Sequence, residues 1–119
     1  MKKLAPEIVR KRLLIEGYYN REVREEIIDE YFKWVCKQLN LRMYGEPIIF
    51  APAGLGKEEN QGFDAFVPLI DSGISLYVWS SKKFLSCVFY TCKDFDSDLA
   101  LERTQEYSGR GKLDKFWGN

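Results

Sequence analysis

Residues 62–94 read GFDAFVPLIDSGISLYVWSSKKFLSCVFYTCKD, and the reading of this stretch decides the fold. It holds three strand-like runs. Residues 63–70 are short and apolar, 74–79 alternate, and 84–91 are rich in β-branched and aromatic side chains. Asp71, Ser72 and Gly73 give a tight-turn composition between the first two runs, and residues 80–83 (SSKK) separate the second from the third. A hydroxyl at Ser72 in a strained turn, with a thiol at Cys92 where the third run ends, has the residue types of a reaction centre. A serine in a turn and a cysteine in a core have the same spacing, and spacing alone does not separate the two.

Upstream, Leu13-Leu14-Ile15 is a first strand candidate, and Asn20 is a candidate N-cap. Apolar residues then fall at Ile27, Ile28, Tyr31, Phe32, Val35, Cys36 and Leu39, a period of 3.6 that predicts a helix over 22–39 with Asn40 as its stop. Residues 46–50 (EPIIF) predict a second strand, with Pro47 placing its start at a sheet edge. Residues 51–60 read as a loop. Its Gly54, Gly56 and Lys57 lack the spacing and the following Ser or Thr of a phosphate-binding loop. Downstream, Asp96 or Ser97 caps a second helix over 98–107, Gly109-Arg110-Gly111 ends it, and 108–119 reads as a tail. The order β-α-β-β-β-β-α predicts an α+β domain: an antiparallel-rich sheet with helices on one face. Its other face, with Ser75, Tyr77, Trp79, Ser86 and Tyr90, needs covering.

The 119 residues predict one domain over 1–119. Apolar content of 45% and aromatic content of 15% predict a folded globule. Eighteen basic and eighteen acidic residues cancel, so net charge gives no attraction to nucleic acid or to an acidic membrane. No run approaches the roughly 18 apolar residues of a spanning helix, and no signal-peptide core opens the chain, which reads as cytoplasmic. Three cysteines at scattered positions suggest neither a disulfide framework nor a zinc site, so no metal is expected. There is no histidine, which removes the usual general base near neutral pH.

The 62–94 stretch resembles the core of the small prokaryotic-type pyruvoyl-dependent S-adenosylmethionine decarboxylases. Their central segment runs as G-x-x-x-x-x-x-x-E-S-H-x-x-x-H-x-W-P-E and continues to a strand ending F-T-C-G-D. Asp71-Ser72-Gly73 falls on E-S-H, Tyr77 on the second His and Trp79 on the Trp. Tyr90-Thr91-Cys92-Lys93-Asp94 falls on F-T-C-G-D. The resemblance implies that the chain is cleaved between Asp71 and Ser72, that Ser72 becomes the pyruvoyl cofactor, and that Cys92 is the catalytic proton donor. Phe50, in F-A-P-A-G, and Tyr77 correspond to residues that stack on the substrate's adenine, and Glu16 corresponds to an acidic residue at the end of the first strand. The resemblance also implies an αββα sandwich dimer.

The departures from the pattern fall on functional positions. Tyr77 replaces the processing His, and a phenol keeps the stacking face but is protonated near neutral pH. Asp64 stands where a Ser assists processing, and Ser81 replaces the Glu that holds the ribose hydroxyls. The expectation is therefore a decarboxylase of the polyamine-biosynthesis type with self-processing impaired or absent. Two other readings stay open: a non-catalytic adenosyl-binding or regulatory paralogue, or a pyruvoyl decarboxylase of a basic amino acid. The expected partners are an S-adenosylmethionine-like small molecule and a second copy of the chain, or an active paralogue in a heterodimer.

Overall fold

Strict alternation in β4 (Ser72–Trp79) sends Ile74, Leu76 and Val78 to one face and Gly73, Ser75, Tyr77 and Trp79 to the other. The same alternation runs through β1 (Lys11–Tyr18), β3 (Gly62–Leu69) and β5 (Phe84–Thr91), so each strand buries every second residue on one side. The short edge strand β2 (Ile48–Phe50) and the strand β6 (Lys112–Phe116) complete the sheet. This computed structural model describes residues 4–51 and 61–116. The six strands lie in the order β2-β3-β4-β5-β1-β6, and every pairing is antiparallel.

Helices α1 (Glu25–Gln38) and α2 (Ser97–Tyr107) lie over one face of the sheet. The α1 stripe of Ile28, Tyr31, Phe32, Val35 and Cys36 is buried with Leu13, Ile15, Val67, Ile74 and Phe89 from the strands. Together they form the single core, as an amphipathic helix on a half-polar sheet requires. Among the described residues, no helix is long and apolar enough to cross a membrane. The glycine-lysine string at Gly54, Gly56 and Lys57, and Trp117 at the chain end, lie outside the described residues.

The structure corrects three sequence expectations. First, α1 starts at Glu25 rather than 22, and Arg24, not Asn20, occupies the N-cap without a side-chain cap bond. Asn20 is held elsewhere: its N–H donates to the Ser108 carbonyl at 2.7 Å, which ties the β1–α1 connection to the end of α2. Second, the β3–β4 turn sits one residue earlier than composition suggests. Leu69 pairs with Ser72, so Ile70 and Asp71 form the loop, and Asp71 takes the left-handed backbone at φ 54°. Ser72 and Gly73 are already strand residues. The Phe66 ring lies over Gly73, within 2.5 Å of where a Cβ would stand, so a larger residue there would displace that exposed ring.

Third, residues 112–116 of the expected tail form β6, paired to β1. Leu113 is buried opposite Gly17, where a Cβ would meet the Lys112 carbonyl oxygen at 2.0 Å. The missing side chain lets the last strand close on the first.

Candidate functional site

On the face without helices, strand register brings residues from all six strands into one transverse row. Phe50 pairs with Asp64, Asp64 with Tyr77, Tyr77 with Ser86, Ser86 with Glu16, and Glu16 with Asp114. The expected residues Phe50, Tyr77 and Glu16 thus share a row, and Asp64 lies between the two aromatics. Neighbouring strands are about 4.8 Å apart, so the backbones under Phe50 and Tyr77 are separated by roughly 10 Å. Phe50 and Tyr77 thus flank Asp64 from the two strands on either side of it. Phe50 and Tyr77 are both exposed, at 64% and 40%. Ser86 donates a hydrogen bond to Glu16 Oε2 at 2.9 Å and fixes that carboxylate. The sequence placed Ser86 on the uncovered face but gave no sign of this bond, which depends on the β1–β5 register.

A second cluster forms at the end of the sheet. Ser72 opens β4 and Cys92 follows the last residue of β5, so the hairpin pairing of β4 with β5 makes them neighbours across twenty residues of sequence. The Cys92 N–H donates to Ser72 Oγ at 2.9 Å, and the Cys92 thiol donates to the Asp71 carbonyl oxygen at 3.0 Å. Asp71, Ser72 and Cys92 are therefore together, with the hydroxyl, the preceding carbonyl and the thiol in one hydrogen-bonded unit. Beyond Cys92 the chain is anchored. Thr91 Oγ1 donates to the Lys93 carbonyl at 2.6 Å, and the Lys11 ammonium bonds Asp94 at 2.9 Å and also the Phe95 carbonyl. That ammonium holds the Asp94 carboxyl below the usual carboxylate range.

Within one chain the two clusters stay apart. Tyr77 and Ser72 are five residues apart in β4, about 16 Å at ~3.3 Å per residue, and their side chains leave opposite faces. Ser81, the other functional departure, lies in the turn after β4.

No protein-family model matches the sequence, and no curated protein matches it. Among solved structures, the crystal structure of the adenosylmethionine decarboxylase from Aquifex aeolicus VF5 matches with a TM-score of 0.73. The match covers 93% of this chain and 89% of that chain at 20% sequence identity. The fold is S-adenosylmethionine decarboxylase-like.

Proposed function

We propose that this chain is an S-adenosylmethionine decarboxylase-family protein in which the Asp71–Ser72 bond stays intact in most molecules. It acts mainly as a binder of an adenosyl ligand rather than as a fast decarboxylase. The observation that carries this reading is the hydrogen-bonded unit of Asp71, Ser72 and Cys92. It suits the first step of self-processing and supplies nothing for the second.

In the first step Ser72 Oγ attacks the Asp71 carbonyl carbon, the carbon–nitrogen bond breaks, and an ester forms with the Ser72 nitrogen freed as an amine. Charge builds on the Asp71 carbonyl oxygen, to which the Cys92 thiol already donates, so a donor is in place where it is needed. The left-handed φ of 54° at Asp71 puts backbone strain beside the bond to be rearranged. In the second step a base must remove the Ser72 α-proton so that the Asp71 carboxylate can leave from Cβ. The chain has no histidine, and Tyr77 of the same chain lies about 16 Å along the strand. The junction is thus set for a reversible acyl shift without a base to draw it onward. Where processing does occur, the pyruvoyl group supplies an electron sink for decarboxylation. This chain's contribution is then the Cys92 thiol beside it.

The adenine is placed between Phe50 and Tyr77, which would close a slot on its two sides with Asp64 as the polar floor. Denaturing mass spectrometry of the purified chain tests the main statement. A single intact mass is expected, whereas two fragments split before Ser72, the second blocked by pyruvoyl, restore the enzyme reading.

A further inference from the structure

A cavity of about 310 Å³ opens beside the Ser72–Cys92 junction, and its lining is not that of a nucleoside pocket. The segment leaving α1 runs along the end of β3, fixed by the Met43–Leu69 bridge and by the Tyr44 N–H to the Pro68 carbonyl at 2.8 Å. This brings Arg42 to the cavity from one side while Lys93, next to Cys92, reaches it from the other. Lys93 Nζ gives one hydrogen bond, 2.9 Å, to the Asn40 carbonyl at the α1 terminus, which leaves its other protons available. Arg42 makes no hydrogen bond or ion pair among the described residues. Asp71 supplies the one carboxylate, and Leu41, Leu69 and Ile70 supply the apolar wall. No aromatic ring lines the space, so no base can stack there.

From this lining we infer that the cavity is a binding site for a free α-amino acid with an apolar side chain. Arg42 and Lys93 take the carboxylate, Asp71 takes the ammonium, and Leu41, Leu69 and Ile70 cover the side chain. Two cations and one carboxylate around an apolar wall match a zwitterion of that kind, and guanidinium–carboxylate pairing is bidentate and directional. The volume is at the lower end of the range for small-molecule pockets, as an amino acid without a nucleoside requires.

The same cations bear on chemistry. They stabilise a bound carboxylate more than a transition state in which its charge departs as carbon dioxide, so the site holds its ligand rather than decarboxylating it. The inference rests on the intact Asp71–Ser72 bond proposed above, because cleavage there frees the Asp71 end of the seat.

The test is calorimetric titration of the full chain with L-leucine and L-methionine, beside the amino alcohols that lack the carboxylate and the N-acetyl forms that lack the ammonium. Saturable binding of at least one amino acid is expected, with loss of binding for its alcohol and its N-acetyl form. Arg42→Gln should weaken that binding about 10- to 100-fold, and Lys82→Gln, an equal charge change in the exposed turn at the far end of β4, should leave it unchanged. No saturable binding overturns the inference, as does equal binding of the alcohol or an unchanged affinity in Arg42→Gln. Mass spectrometry of the same preparation keeps the two readings separate. An intact mass without amino-acid binding defeats this inference alone. A cleaved mass defeats the reading above, and titration of Ser72→Ala, which cannot cleave, then decides this one by the same criteria.

Discussion

The three cysteines sit in different environments, and their chemistry should divide accordingly. Cys36 and Cys87 are buried in the core, and burial pushes their thiols up to about 11 and about 12. Cys92 is half-buried at the sheet end. A thiol reagent at pH 8 should therefore modify one cysteine of the native protein and three after denaturation. Rapid labelling of all three in the native state would show that the core is not packed as described. The same shifts set an alkaline limit. Folding favours the neutral thiols, so their contribution to stability is full below the ordinary value of 9.0 and is lost as pH rises through 11 and 12. The urea midpoint should be lower at pH 10.5 than at pH 8, and equal midpoints count against this assignment. Position 77 offers a second residue-scale test. Tyr77→His supplies the imidazole that the chain lacks, but on the face of β4 opposite Ser72 and about 16 Å along the strand. The cleaved fraction should therefore stay unchanged in Tyr77→His at every protein concentration. A rise in that fraction would show that residue 77 reaches Ser72 and that the strand faces are not arranged as described.

At the scale of elements, both helices end in the same way. Asn40 (φ 56°) and Gly109 (φ 77°) take the left-handed position. The next N–H reaches back to Cys36 at 2.8 Å in α1 and to Gln105 at 3.0 Å in α2, satisfying carbonyls the helix leaves open. Asn40 tolerates this backbone through its short polar side chain. Gly109 has no substitute, since a Cβ there lies 2.4 Å from the Asn20 carbonyl oxygen. Gly109→Ala should cost about 1–3 kcal/mol and Asn40→Gly almost nothing, read as denaturant midpoints at constant slope. A Gly109→Ala protein with the parent midpoint would place the chain end elsewhere. Asn40 as a stop, and the runs 63–70, 74–79 and 84–91, were legible because their signals are local: a stop residue, or a period of two. β6 was not, since the KLDKF strand buries only Leu113 of its apolar pair and forms because Gly17 admits it across the sheet. The site divides along the same line. Ser72 and Cys92 stand out by residue type and resemblance, whereas the Ser86–Glu16 bond and the placement of Arg42 depend on register and on the path leaving α1. No local pattern carries those.

For the whole molecule, the decisive feature is that the described residues cover only one face of the sheet. Tyr18, Ile48, Phe50, Phe66, Tyr77, Val88, Tyr90 and Phe116 are exposed by 36–64%, and all project from the face opposite the helices. Scattered apolar side chains are ordinary on a protein surface, but contiguous large ones mark a surface that is occupied in use. Stacked sheets settle about 10 Å apart, and two copies related by a two-fold axis present the same patch to each other, so one apolar face can satisfy itself. We predict a homodimer built face to face. Val88 is the residue to test, because it sits mid-strand in β5, flanked by β4 and β1, and points away from the core. A glutamate there brings two like charges together near the centre of a symmetric contact while leaving the monomer's core intact. Sedimentation at tens of micromolar should give twice the chain mass for the parent and the single chain mass for Val88→Glu, with unchanged circular dichroism. A monomeric parent at that concentration rejects the dimer, and a Val88→Glu protein that still sediments as a dimer moves the contact off this face. The outcome also bears on the ligand slot. Phe50 and Tyr77 stand in the predicted contact, so dimerisation should exclude water from the slot, and adenosyl-ligand affinity should fall in Val88→Glu although that residue is not in the row.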